Sequence, residues 1–456
     1  MFLVEISLLL LLFLKKIESL MFSIFDLSLF LNGFPIKTAR KDLKKIQAIS
    51  KEDFEKYSID KRKEIVNFHL KNNPFYSQFV GETEYKNWES LPIMTKKELQ
   101  TPLQSRLSNG YKEKYYSNKT SGSSGIPFIF AKDKYCHALT WAVIQDRFGS
   151  IGIDFNSSLQ ARFYGIPLDF IGKTKERIKD FLSYRYRFPV FDLSDAFMET
   201  VVDKFQKNQF IYINGYTSSV VLFAKYLKKK NLYLKTICPS INYCVVTSEM
   251  LFEEDKNLLE SQFGVPIINE YGASELDLIA FTNTVNEWEL NSETLFIEIL
   301  DENNQVVPNG KEGRIVITSL YNKAHPFIRY DIGDVGIIDE KSSFKKPILK
   351  KLIGRTNDVA YLPSGKTTPG LTFYYITKSI IEDDGNVKEF VVKQTKIDTF
   401  EIEYCSEIAL TEDQLQKIKL AITSYLESGL HFTFKRKEKI ERTPSGKLKQ
   451  FISEIK

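Results

Sequence analysis

The densest chemistry in the chain is Lys119-Thr120-Ser121-Gly122-Ser123-Ser124-Gly125-Ile126-Pro127, where four hydroxyls and two glycines share nine residues. Glycine admits positive φ, so successive backbone N–H groups can converge on an anion, and the hydroxyls add donors at the same place. Such a run is either a cradle for phosphates or a flexible loop. It is not a Walker A loop. The two GKT triplets fail that pattern as well, because Pro167 and Ala360 stand where the first glycine should precede Gly172-Lys173-Thr174 and Gly365-Lys366-Thr367. Both therefore read as turns. No G-x-G-x-x-G dinucleotide fingerprint occurs. Gly122–Gly125 also misses the G-x-S-x-G elbow, with Ile126 in the last position.

Four further stretches share one chemical theme. Asn269-Glu270-Tyr271-Gly272-Ala273-Ser274-Glu275 follows the strand-like run Val265–Ile268, at the carboxyl end of a strand where open α/β sheets bind ligands. Glu275 is a hard oxygen ligand suited to Mg²⁺ bridged to phosphate, and Tyr271 offers an aromatic face to a base. In Phe327-Ile328-Arg329-Tyr330-Asp331-Ile332-Gly333-Asp334, an Asp beside glycine either accepts two ribose hydroxyls or makes an ordinary Asx turn. Gly354-Arg355-Thr356-Asn357-Asp358 has the small polar residues of a hinge. Arg442-Thr443-Pro444-Ser445-Gly446-Lys447 sets a lysine on a glycine turn. That lysine either meets charge developing on a carboxylate or phosphate, or belongs to a solvated basic tail.

The elements that must position these residues alternate. Between about residues 130 and 355, short apolar runs (Phe210–Ile213, Cys244–Val246) separate helical ones such as Val220–Tyr226 and Leu251–Phe263. That pattern predicts α/β layering around a largely parallel sheet. Leu295–Leu300, Arg314–Thr318 and Gly336–Ile338 predict a β-rich subregion with turns at Asn303-Asn304 and Asn309-Gly310. Past Arg355, the strands Glu389–Lys393 and Phe400–Tyr404 and a helix near Glu412–Leu426 predict a small α+β module. Residues 40–70 predict an amphipathic helix. The expected division is a leader at 1–20, a large domain at 21–355 and a mobile domain at 356–456.

Composition narrows the class. The 456 residues are 43% hydrophobic and 27% charged, which excludes a disordered chain, a collagenous repeat and a polytopic membrane protein. A net charge of +5 without a basic block gives no case for nucleic acid. Cys136, Cys238, Cys244 and Cys405 are scattered, so a reducing cytosol is expected. The four histidines show no ligand spacing for a metal cage. Leu8–Leu14 is an apolar run too short to span a bilayer, and Lys15 and Lys16 follow it instead of preceding it as in a signal peptide. A floppy leader and a tether to a membrane or partner both remain open.

In order and rough spacing, the five segments resemble the signatures of the adenylate-forming superfamily of acyl-CoA synthetases, nonribosomal adenylation domains and luciferases. The resemblance runs from about residue 40 to the C-terminus. Ile213-Asn214-Gly215-Tyr216-Thr217-Ser218-Ser219 and Val246-Thr247-Ser248-Glu249, each before a helix, are similar to the phenylacetate–CoA ligase and CapK-like capsular polysaccharide branch. The resemblance implies that a carboxylate attacks the α-phosphorus of ATP to give acyl-AMP, whose acyl group then passes to a thiol or other nucleophile. Thr120, Ser121, Gly122, Ser123, Ser124 and Gly125 would hold phosphates. Tyr271, with Gly272 and Ser274 beside it, would flank adenine, and Glu275 would bind Mg²⁺. Asp334 would hold the ribose, Arg355 would support the nucleotide, and Lys447 would bridge carboxylate and α-phosphate. Arg329 is expected to face the triphosphate with Arg355 and Lys447.

The implied co-substrates are ATP with Mg²⁺, a small carboxylic acid suited by the 13% aromatic content to be aromatic, and coenzyme A. A sugar, a carrier protein or a deazaflavin-type coenzyme are alternative acceptors, and a non-catalytic nucleotide-binding scaffold is a further alternative. Two departures stand out: Phe128 follows the proline of the Ser/Gly segment where many relatives have lysine, and Asn357 replaces the usual Asp or Lys after the hinge arginine. The oligomeric state is not legible.

Overall fold

The computed structural model describes residues 24–81, 87–111, 115–120, 128–165, 170–190, 194–355, 359–369, 387–443 and 448–455. Strands β1 (Tyr115–Lys119) and β2 (Ile129–Asp133) pair antiparallel on either side of the Ser/Gly segment. Seven strands then form one sheet in the order 4-3-5-6-7-8-9. They are β3 (Gln160–Tyr164), β4 (Arg185–Pro189), β5 (Tyr212–Tyr216), β6 (Tyr243–Thr247), β7 (Ile267–Ala273), β8 (Asp277–Thr282) and β9 (Trp288–Leu290). Pairing is parallel from β4 through β7 and antiparallel from β7 through β9.

A parallel sheet needs cover on both faces. The helices Asp195–Lys207, Thr217–Lys229 and Glu253–Phe263 bury Phe163, Phe188, Ile213 and Val246 on one side. The helices Ile36–Gln47 and Lys134–Ser150 cover Tyr212, Val245 and Ile268 on the other. Gly215 lets the Thr217 helix come close, since a Cβ there would stand 2.6 Å from the Phe163 Cβ and 2.8 Å from Val220.

A second sheet is an antiparallel meander of β10 (Leu295–Leu300), β11 (Glu312–Ser319), β12 (Tyr330–Ile338) and β13 (Leu349–Arg355). Its turns carry Asn304 at φ 62° and Gly310 at φ 87°, as the sequence predicts. The short pair β14 (Val359–Tyr361) and β15 (Thr367–Pro369) turns at Gly365, φ 80°. The last sheet, ordered 18-17-16-19, contains β16 (Val387–Lys396), β17 (Thr399–Ser406), β18 (His431–Lys437) and β19 (Phe451–Ser453). The helix Glu412–Tyr425, started by a Thr411/Gln414 capping box, closes a core of Phe390, Phe400, Ile402, Ile418 and Ile422. Phe252 of the larger part enters that core. The architecture is thus a layered α/β body with a β-rich subregion and a smaller α+β part.

Three local expectations are corrected. Gly172-Lys173-Thr174 lies inside the helix Phe170–Leu182, where the helical apolar spacing outweighs the roughly 1 kcal/mol cost of one glycine. The single helix expected over 40–70 is two, Ile36–Gln47 and Lys51–Asn72, because Ser50 caps the second by accepting the Asp53 N–H at 3.1 Å. The motif residues 269–273 and 330–334 lie within β7 and β12 instead of in turns. Their polar groups are met across the sheets. Asn269 exchanges both backbone groups with the Thr282 hydroxyl, and Asp331 accepts from Arg314 at 2.6 Å.

Candidate active site

The hairpin between β7 and β8 is where the two large sheets meet. A Cβ on Gly272 would lie 2.4 Å from the Asp277 carbonyl oxygen, so only glycine allows this approach. The Leu276 N–H donates to Ala273 at 3.1 Å and closes the turn, with Asp277 at φ 58° and Ser274 exposed at the tip. This turn buries Glu275, which accepts the Tyr330 hydroxyl at 2.9 Å. In the reverse sense, the Tyr271 hydroxyl donates to Asp334 at 2.6 Å. Each segment thus sends a tyrosine to the other's carboxylate, and the expected metal and ribose ligands share one wall. The Tyr271 and Trp288 rings meet edge to face, with centroids 5.9 Å apart. Burial and the Glu275 charge push the Tyr330 phenol well above its ordinary value, so it keeps its proton and donates. Across the β12–β13 ladder, Asp334 stands in register with Arg355.

The Ser/Gly segment is tied to the same hairpin through β2. Thr120 holds its ends together. The Thr120 N–H donates to the Phe128 carbonyl at 3.0 Å, and the Phe128 N–H donates to the Thr120 hydroxyl at 3.1 Å. Ser121, Gly122, Ser123, Ser124 and Gly125 lie outside the described residues. On β2, Lys132 is buried and ion-paired with Asp277. Burial pushes its ammonium down to about 8 against the opposing pull of Cys136 and Glu275. Buried donors fix β2 from below: Arg106 to the Ile129 carbonyl at 2.7 Å, and Asn322 to that of Ala131 at 2.9 Å.

The carboxyl-terminal tail reaches the same end of the central sheet. Glu249, just past β6, accepts the Ser218 N–H and the Leu448 N–H, both at 2.7 Å. Arg442 donates to the Ser218 hydroxyl at 3.0 Å and pairs with Glu389, whose carboxyl burial raises against the pull of that arginine. Residues 444–447, Lys447 among them, lie outside the described residues, as does the Arg355 side chain.

One expected site residue does not belong there. Arg329 is fully buried, donates to the carbonyls of Glu89 and Leu91 at 2.9 Å each, and lies 3.3 Å from Glu298. It holds the 89–94 segment onto the second sheet and does not face a triphosphate. Sequence reading missed Tyr330 as a partner of Glu275, although the residue lies within the quoted segment. Lys132 and Asp277 were missed too, since their pairing spans 145 residues. So was Glu270, which accepts the Thr247 hydroxyl at 3.0 Å. Burial raises its carboxyl pKa, while the Thr247 bond and Arg162 pull it down.

The overall fold matches solved structures. 2-Hydroxyisobutyryl-CoA ligase, in the postadenylation state with R3-HIB-AMP, superposes with a TM-score of 0.69 at 16% identity, covering 88% of this chain and 90% of that one. The chain has the fold of the adenylate-forming CoA ligases. The anthranilate CoA ligase AuaEII, in complex with anthranoyl-AMP, shares this fold at TM-score 0.52 and 14% identity, over 73% of this chain and 65% of that one. In sequence, the chain is 24% identical over 417 residues to Protein CapK of Staphylococcus aureus, covering 86% of this chain and 88% of the relative. The resemblance to the superfamily and to its CapK-like branch therefore holds. No family model matches the chain.

Proposed function

We propose that the chain is an ATP-dependent, adenylate-forming ligase. The observation that carries this reading is the reciprocal Tyr271–Asp334 and Tyr330–Glu275 pairing. It gathers the candidate ribose and phosphate-side carboxylates beside the strand that leads out of the Ser/Gly segment. An oxygen of the acid attacks the α-phosphorus of ATP, the bond to pyrophosphate breaks, and acyl-AMP remains. An acceptor thiol then attacks the acyl carbon and releases AMP. Positioning and charge neutralisation supply most of such catalysis. In this reading Asp334 holds the ribose, Tyr271 the base, Thr120–Gly125 the phosphates, and Arg355 and Lys447 the developing charge.

Glu275 fits Mg²⁺ as a single hard-oxygen ligand, because that ion is usually held by one or two carboxylates together with substrate phosphates. When bound, the ion neutralises phosphate charge. Residues 356–456 are the moving part in this reading, hinged at 355–358. The 2-hydroxyisobutyryl-CoA ligase in its thioesterification state superposes less well, at 0.58, than in its postadenylation state. That difference favours a tail seated for the first half-reaction.

The acid is proposed as aromatic, the acceptor as coenzyme A and the compartment as the cytosol, where the four unpaired cysteines are stable. A non-CoA acceptor in surface polysaccharide or cofactor synthesis is the second reading, favoured by the similarity to CapK. Pyrophosphate release with ATP, Mg²⁺ and a panel of acids tests adenylation. Lys447→Ala is expected to lower it by roughly 100-fold or more with ATP affinity nearly intact. Absence of release from folded protein with every acid refutes the reading. Product mass spectrometry with and without CoA separates the acceptors.

A further inference from the structure

Two neighbouring helices at the far end of the molecule wear their apolar stripes outward. In the helix Ile24–Leu31, Leu27, Phe30 and Leu31 are 45, 67 and 74% exposed, at i, i+3 and i+4 spacing. The helix Phe170–Leu182 repeats the pattern with Ile178, Phe181 and Leu182 at 57, 73 and 40%. An amphipathic helix of a globular protein normally turns such a stripe to the core. Here the opposite faces are the seated ones. Phe25 and Leu29 are buried, and Asp26 is locked by Arg40 at 2.7 Å and by Gln145 at 3.0 Å. Asp180 is buried under Arg185 and Arg187. The outward stripes are therefore the fixed orientation of well-anchored helices, with a cleft of about 180 Å³ between them over Phe25, Phe155 and Leu159.

Charge and connectivity indicate what covers them. In sequence the helix Phe170–Leu182 carries Lys173, Lys175, Arg177 and Lys179 against Glu176 and Asp180; Glu176 is paired with Lys179 at 2.6 Å and with Arg187 at 2.9 Å, and Asp180 is spent on Arg185 and Arg187. A basic amphipathic helix with exposed Phe, Ile and Leu is the composition that lies in an anionic membrane interface. The chain enters the helix Ile24–Leu31 directly from the leader with its apolar run Leu8–Leu14 followed by Lys15 and Lys16. Among the described residues, no helix is long and apolar enough to cross a membrane. Stable attachment by shallow insertion takes more than one signal, and the two stripes supply two.

We propose that this face docks on an anionic lipid bilayer. Ile178, Phe181 and Leu182 precede β4, and Phe155 and Leu159 precede β3, so the face lies at the amino ends of the parallel strands. The candidate active site lies at their carboxyl ends, turned to water. The proposal is independent of the adenylation reading.

Co-sedimentation of the full chain tests it, with vesicles of phosphatidylcholine alone and with a quarter phosphatidylglycerol. The wild type is expected to pellet with the mixed vesicles and less with the neutral ones. Phe30→Asp with Phe181→Asp is expected to bind at least about tenfold more weakly, the scale of one lost side-chain burial. Both sites are exposed, so an unchanged melting temperature and an unchanged rate of pyrophosphate release are expected. The proposal is overturned if the wild type stays in the supernatant, or if the double variant partitions like it. It is also overturned if ultracentrifugation shows a dimer that the double variant abolishes, since a second copy then covers the face.

Discussion

Asp180 and Glu275 are both nearly fully buried carboxylates, and their partners are opposite in kind. Asp180 accepts from Arg185 at 2.6 Å and from two nitrogens of Arg187 at 2.9 and 2.8 Å. Burial alone would raise its pKa, and the two guanidiniums hold it below the usual carboxylate range. Glu275 accepts a neutral phenol, while the neighbouring ammonium of Lys132 is engaged with Asp277. A carboxylate saturated by cations has completed its task when the chain folds. In the proposed reading, the one held by a hydroxyl is the carboxylate that meets Mg²⁺.

The difference can be broken by exchanging each oxygen for an amide. Glu275→Gln is expected to slow pyrophosphate release roughly 100-fold, about 3 kcal/mol of transition-state stabilisation, and to leave the urea midpoint almost unmoved. If stability collapses while the rate per folded molecule stays, the two carboxylates are of one kind. Asp180→Asn should do the reverse. Removing one member of a buried ion cluster costs roughly 3 kcal/mol, read as a lower urea midpoint with an unchanged rate per folded molecule.

Acid separates the two kinds of burial as well. His69 is held at about 4 by burial, against its ordinary 6.5, so the unfolded chain binds more protons between those values. Its contribution is complete above pH 6.5 and is lost as pH falls, about 2 kcal/mol between pH 6.5 and 5. Asp180 stays ionised over that window, whereas His137 and His325, also pushed down by burial, lose stability there in the same sense. His69→Asn should remove one share of the slope of stability against pH there and leave that of His137 and His325. The smallest effect is expected from Tyr330→Phe, which removes the hydroxyl that donates to Glu275. About 1 kcal/mol of binding or rate should be lost, measured as a rise in the ATP–Mg²⁺ requirement and not as unfolding.

The layered α/β body was legible because its strands and helices are periodic: Leu295–Leu300 and the turn at Gly310 fall where the pattern puts them. Of the five segments, 269–275 and 327–334 are described whole, and their Tyr271, Glu275, Tyr330 and Asp334 meet on one wall. Arg329 was misplaced because its guanidinium donates to carbonyls 240 and 238 residues away. No local pattern distinguishes such an arginine from one aimed at phosphate. The same distance hid Lys132–Asp277 and Arg106–His325, pairs separated by 145 and 219 residues. The ends of β7 and β12 were misjudged for a related reason, since polar residues extend a strand when their partners lie across the sheet.

Glu249 holds the Ser218 N–H with one oxygen and the Leu448 N–H with the other. In mechanical terms that carboxylate is a catch between body and tail. A tail that leaves this seat gives up one charge-assisted hydrogen bond, about 1.5–3 kcal/mol, or roughly 10- to 100-fold in the ratio of seated to released molecules. The same seat is also held by the Arg442 bond to the Ser218 hydroxyl and by Phe252 in the smaller core, so the catch is one of several. A glutamine at 249 would leave the seat in place and shorten the stay.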